Sequence, residues 1–211
     1  MLVRKLLTEF VGTLIFLFAI GLAVTGGLAL APLIIGTALM VLVYMGGHVS
    51  GAHYNPAVSL AILLRGKLAT RELLPYWCAQ ILGALVGSFL ASVASAKSFA
   101  PTPGGSTAAA LLIELVFTFT LCLVVLHVAT ARATAGNSFY GAAIGMTIVV
   151  AAFAGGGISG GAFNPAVAIG ATFVHAAYGG GSLGKLWIYL VGPLAGGVLA
   201  SLVFRLQIPE D

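Results

Sequence analysis

Hydrophobic residues run along this chain in long blocks, and charged positions punctuate the blocks instead of alternating with them. No Asp, Glu, Lys or Arg occurs at 10–64, 73–96, 115–131 or 133–184. A membrane-crossing helix takes about 20 predominantly apolar residues, so these blocks have room for about six. Their glycine- and proline-bearing breaks predict helices at 5–26, 31–47, 72–95, 108–130, 138–154 and 184–205. Two further apolar segments, 56–65 and 165–174, are too short to span. They predict half-helices that dip into the bilayer from opposite faces.

Composition turns this pattern into a solvent argument. Apolar residues make up 60% of the 211 positions and charged residues only 7%, where a soluble domain carries about 25%. The 29 glycines suit helices that approach backbone to backbone without a water-driven core. The net charge of +4 does not mark a nucleic-acid partner, because the basic residues follow topology. With a cytoplasmic N-terminus and six spans, Arg4, Lys5, Arg65, Lys67, Arg71, Arg132 and Arg205 fall inside, and Lys97 and Lys185 outside. That is the positive-inside bias. Arg4-Lys5 before an apolar run has the look of a leader peptide. Glu9 interrupts the run, however, and the segment has a counterpart in the second half, so a first span is expected. Cys78 and Cys122 both lie in apolar spans, where cysteine serves as a small packing residue. The tails, 1–5 and 206–211, are too short for a regulatory domain.

The chain is internally duplicated. Ser50-Gly51-Ala52-His53-Tyr54-Asn55-Pro56-Ala57-Val58 matches Ser159-Gly160-Gly161-Ala162-Phe163-Asn164-Pro165-Ala166-Val167, 109 residues later. Glu9 and Glu114 precede the two asparagines by 46 and 50 residues. Behind the motifs, Gly83-Ala84 and Gly87 resemble Gly192-Pro193 and Gly196-Gly197. The repeats are expected at 1–100 and 108–211, joined by a linker at 101–107. Each holds three spans, an odd number, so the second must insert upside down and the two sites meet near the midplane.

Asn-Pro-Ala is a helix start: asparagine is a preferred N-cap, and proline at the first helical position forfeits no needed hydrogen bond. Irregular chain ahead of it is tolerated in a membrane only where it lines protein or a water-filled cavity. Two such starts meeting at the midplane would aim two positive dipole ends and the Asn55 and Asn164 amides at one point. Water oxygens are attracted there, and cations and a continuous proton wire are disfavoured. One copy would read as an ordinary cap. Two copies in matched contexts, inside an intramembrane repeat, read as a pore.

On these motifs the chain resembles the major intrinsic proteins, the aquaporin and glycerol-facilitator superfamily, along essentially its full length. Gly47-His48-Val49-Ser50-Gly51-Ala52-His53-Tyr54-Asn55-Pro56-Ala57-Val58 is especially similar to the first signature loop of bacterial water channels. The resemblance implies an all-α membrane protein. Its fold would be a right-handed bundle of six transmembrane helices plus two re-entrant half-helices, in an inverted internal repeat. It also implies a homotetramer with one pore per subunit, set in a cell membrane with both termini cytoplasmic. Water and small neutral solutes would be its partners, with no cofactor, metal or catalytic group. Pro56, Ala57, Pro165 and Ala166 complete the pore motifs. Glu9 and Glu114 become buried braces of the re-entrant loops, His48 another loop brace, and His53 a pore-lining residue. His127, His175 and the methionines, Met40, Met45 and Met146 among them, receive no functional role.

One part departs from the family pattern. Most relatives carry arginine after the second Asn-Pro-Ala, where this chain has Val167. By count from the asparagines, the other constriction positions fall on Ile35, Ala152 and Gly161. A typical water channel has an aromatic, a histidine and a small residue there. Losing arginine removes a fixed charge and several donors, and small side chains opposite widen the passage. The expectation is a broad, apolar outer constriction passing uncharged solutes larger than water. The arginine-aspartate pair of glycerol facilitators is missing as well, and a specialised route for neutral metalloid hydroxides or methylated arsenicals is the alternative. An ion-coupled secondary transporter and a poorly conducting structural membrane protein are further readings. The first would call for more intramembrane ionisable groups than two symmetric glutamates. No nucleophile–base cluster, phosphate loop or metal-ligand spacing points to an enzyme.

Overall fold

The computed structural model describes residues 2–209. Met1, Glu210 and Asp211, the outermost residues of the two tails, lie outside the described residues. Eight α-helices follow in order: α1 (Leu2–Thr25), α2 (Ala31–Ser50), α3 (Pro56–Leu64), α4 (Thr70–Ser95), α5 (Thr107–Thr130), α6 (Tyr140–Ser159), α7 (Pro165–Ala177) and α8 (Leu186–Gln207). Single 3-10 turns precede α6 and α8. The six long helices, all but α3 and α7, are long and apolar enough to cross a membrane.

The helices expected at 31–47 and 138–154 both run further, to Ser50 and Ser159. Glycines at their ends looked like breaks, but the break comes one residue after each serine. Gly51 and Gly160 take φ of 91° and 92° and donate back to the carbonyls of Gly47 and Gly156. This left-handed cap suits glycine, which has no Cβ to clash. The half-helix expected to end at 174 likewise continues to Ala177.

Two faces of the bundle can be told apart: a near face, where α1 begins and α8 ends, and a far face opposite. On the near face Lys5 pairs with Glu72 at 3.0 Å, and Arg205 donates to the Leu64 carbonyl that ends α3. On the far face the Lys97 ammonium reaches the Thr25 carbonyl at 3.4 Å.

Glycine sets how closely the helices approach. A Cβ on Gly83 would lie 2.3 Å from the Phe10 oxygen, and one on Gly87 would lie 2.2 Å from the Leu14 oxygen, joining α4 to α1. In the second half Gly196 would meet the Leu115 oxygen at 2.6 Å, joining α8 to α5. Across the halves, Cβ atoms on Gly36 and Gly145 would each meet the other's carbonyl oxygen, at 2.6 and 2.4 Å. These glycines are therefore spent on packing inside this chain. Met45 and Met146 face outward. Of the two free cysteines only Cys122 is buried, and Cys78 is exposed.

An interior packed to this density has no slack for an added side chain. Gly87→Val is expected to destabilise the bundle by about 2–3 kcal/mol through overpacking against α1. A thermal unfolding curve of the detergent-purified variant beside the parent measures this.

Candidate functional site

The two Asn-Pro-Ala segments begin α3 and α7 and meet in the interior. Asn55 and Asn164 are extended N-caps, with φ of −155° and −161°, and each side-chain oxygen accepts from the backbone N–H two residues on. Each amide nitrogen then crosses to the other repeat. Asn55 Nδ2 donates to the Phe163 carbonyl at 2.9 Å, and Asn164 Nδ2 donates to the Tyr54 carbonyl at 2.8 Å. An asparagine amide carries two N–H donors, so one on each remains for the lumen that both residues line.

Tyr54 and Phe163 are held in the left-handed region, with φ of 48° and 50°. For a residue with a Cβ this costs about 1–2 kcal/mol. What holds them is a carboxyl group behind each loop. Glu9 accepts from the Ser50 hydroxyl at 2.7 Å, the His53 N–H at 3.0 Å, the Tyr54 N–H at 2.7 Å and the Gln80 amide at 2.8 Å. Glu114 accepts from the Ser159 hydroxyl at 2.8 Å, the Ala162 N–H at 3.0 Å and the Phe163 N–H at 2.6 Å. Both glutamates are wholly buried. Tyr76 and Tyr189 repeat the pattern one layer out, donating to the carbonyls of Ser50 and Ser159.

His48 takes no part in this brace. It is exposed on the last turn of α2 and lines a near-face cavity instead. His53 lines the narrow part of the path with its Nδ1 3.0 Å from the Ser59 hydroxyl, which also accepts from Gln80 at 2.9 Å. Gln80, Ser59, Tyr76 and Tyr189 had no sequence signal of their own. Trp77 adds a bond from its indole N–H to the Pro56 carbonyl at 3.0 Å, fixing the first turn of α3.

Three cavities form one column through the chain. A near-face vestibule of about 540 Å³ shares Val43, Gly51 and Ile144 with a narrow central section of about 40 Å³. That section shares Ile20, Ile35, Ala152 and Gly161 with a far mouth of about 200 Å³. A water needs about 10–15 Å³ of such space, so the centre takes a short single file. Ile35, Ala152, Gly161 and Val167, distant in sequence, all line the far mouth. Among the described residues, Lys67 and Arg132 at the vestibule are the charged side chains lining the column. The central wall is apolar except where Asn55, Asn164, His53 and the loop backbone face it. An ion stripped of water there faces a Born cost on the order of 20 kcal/mol before relaxation. Water loses far less, because amide donors replace part of its hydrogen bonding.

Comparison with known proteins agrees with this geometry. Residues 1–204 match the family described as Major intrinsic protein. The chain belongs to the major intrinsic protein family. It is a multi-pass membrane protein and a passive channel for water and small solutes. Aquaporin-8 of Rattus norvegicus is 36% identical, over 99% of this chain and 83% of its own length. Aquaporin AqpM of Methanothermobacter marburgensis is 33% identical over 99% of both chains. Among solved structures, the aquaglyceroporin from Plasmodium falciparum superposes with a TM-score of 0.87 at 25% identity. That alignment covers 99% of this chain and 98% of the other.

The braces make unequal demands. Glu114→Ala leaves three donors without their acceptor, at about 1–3 kcal/mol for each buried orphan. Gln80→Leu removes one donor of four, together with a side-chain oxygen that has no hydrogen-bond partner, and is expected to cost under about 2 kcal/mol. Unfolding midpoints of the two variants should separate clearly, with Glu114→Ala far lower.

Proposed function

We propose that the channel has a wide, apolar constriction on its far side and passes uncharged solutes larger than water, glycerol among them. The observation that carries this reading is the lining of the far mouth: isoleucine, alanine, glycine and valine at positions 35, 152, 161 and 167, with no charged side chain among the described residues that line it. Arginine at position 167 would contribute a fixed charge and a fork of donors that a solute must pass. Valine contributes neither. Selectivity then rests on size and on the cost of dehydration, and uncharged polyols pay less of that cost than ions do. The solved relative described as an aquaglyceroporin supports a passage of this breadth.

The membrane is a cell membrane and the near face is cytoplasmic in this reading. The support is the gathering of Arg4, Lys5, Arg65, Lys67, Arg71, Arg132 and Arg205 at helix ends and loops of that face, against Lys97 and Lys185 opposite, as the positive-inside rule requires. The repeats at 1–100 and 108–211 act as the two inserting units. A homotetramer follows from the family resemblance alone, since the close-packed glycines pack within the chain. In this reading the path works as a passive pore and not as an enzyme.

Reconstituted into liposomes, the protein should speed osmotic shrinking and then allow fast reswelling when glycerol is the osmolyte. Val167→Arg should cut the glycerol rate by about tenfold, the change that ~1.4 kcal/mol of added barrier produces, while water flux persists. Equal glycerol rates in parent and variant would sink the wide-constriction reading.

A further inference from the structure

The last turns of α6 hold three consecutive glycines, Gly155, Gly156 and Gly157. Each costs about 1 kcal/mol relative to alanine inside a helix, so each invites a reason. Gly155 has one in packing: a Cβ there would lie 2.7 Å from Ile113 Cγ2 and 2.9 Å from the Phe117 ring. A Cβ on Gly157 would meet nothing within 4 Å, but Gly157 is exposed and faces open surface beside the linker, where a Cβ on Gly104 would stand 2.4 Å from the Gly157 oxygen. Gly156 differs from both. It is partly buried, yet a Cβ on it would meet nothing within 4 Å.

The empty space in front of Gly156 is the far mouth, which it lines together with Val24, Ile35 and Phe99. It follows Ala152 by four residues on one helix face, about 6 Å further along the axis at 1.5 Å per residue. Gly161 comes up against it, since a Cβ on Gly161 would lie 3.2 Å from the Gly156 Cα. Ala152, Gly156 and Gly161 thus build a wall almost without side chains, two layers deep.

We propose that Gly156 is a specificity-determining residue of this channel. It keeps the mouth open one helical turn beyond the four-residue constriction, so that a bulky uncharged solute meets no second narrowing before it reaches Ile35 and Val167. The inference rests on the wide-constriction reading and adds a position that counting from the Asn-Pro-Ala motifs does not reach. A side chain at 156 enters open space, so it can obstruct the path without overpacking the bundle. The same change at 157 points to an exposed surface.

The test uses the full-length protein in liposomes, with water and glycerol fluxes read separately for parent, Gly156→Leu and Gly157→Leu. Gly156→Leu should lower glycerol flux by about tenfold or more and water flux much less, with Gly157→Leu matching the parent. In a Cys78→Ser background, Gly156→Cys treated with a membrane-impermeant methanethiosulfonate should lose flux, and Gly157→Cys should keep it. An unchanged glycerol-to-water ratio in Gly156→Leu, or labelling of the Gly156→Cys variant without any slowing, overturns the proposal. A parent that passes water but no glycerol overturns the wide-constriction reading instead. In that case, loss of water flux on labelling the Gly156→Cys variant still supports the placement of residue 156 in the path.

Discussion

Everything along the conduction path depends on two carboxyl groups buried where no water reaches. A loop that stops halfway through an apolar slab exposes backbone N–H groups, and each unpaired one costs several kcal/mol in that setting. Glu9 and Glu114 absorb those donors at matched positions, taking the N–H of Tyr54 and of Phe163 at 2.7 and 2.6 Å. The same two residues give their carbonyls to the asparagine of the opposite repeat. Tyr54 and Phe163 are therefore pinned at both ends, which is how an unfavourable positive φ persists in a residue with a bulky side chain. The strain directs each following asparagine into its capping position and its spare donor toward the lumen.

The two halves are alike in the brace and unlike in what surrounds it. In the first, Gln80 and Ser59 extend the network to His53. In the second, Phe163 packs edge-on against Phe117 with ring centroids 5.7 Å apart. The path is accordingly polar beside the vestibule and apolar toward the far mouth. Fixed charge follows the same gradient: among the described residues, Lys67 and Arg132 line the vestibule and no charged side chain lines the mouth. A barrier made of dehydration and two helix N-termini, each worth about half a positive charge, needs no charged residue at its narrowest point. How large a solute may pass is then a matter of side-chain volume at a few positions of the mouth.

Close helix approach makes this arrangement possible, because loops that carry no core of their own need walls that hold them. Gly12 and Gly46 leave room for the Tyr54 ring, whose hydroxyl reaches the Leu42 carbonyl at 3.1 Å. Gly197 lets α8 lie against the Ala57 carbonyl, and Ser201 donates to the Ala61 carbonyl at 3.1 Å. The second repeat's last helix thus grips the first repeat's half-helix, and each half is completed by the other.

Much of this architecture was determined by the sequence alone. Charge-free blocks of span length, the duplicated Asn-Pro-Ala context and the odd number of spans per repeat specify six spans, two half-helices and their inversion, because hydropathy and capping act over short stretches of chain. That the glutamates brace the loops was legible through the family resemblance, not through their spacing of 46 and 50 residues from the asparagines. The helix ends at Ser50 and Ser159 were misplaced, since a glycine inside a helix and a glycine that ends one look alike until its φ is known. His48 sits beside the brace in sequence and outside it in space. Gln80 and Ser59 were invisible because nothing local marks which polar residues of two helices will face each other. Gly156 was invisible for the same reason: only the fold shows that, of the two glycines with no neighbour to meet, 156 opens on the mouth and 157 on the surface. Local chemistry chose the elements, and the tertiary structure decided which side chains meet, because that depends on helix rotation and approach between residues far apart in the chain.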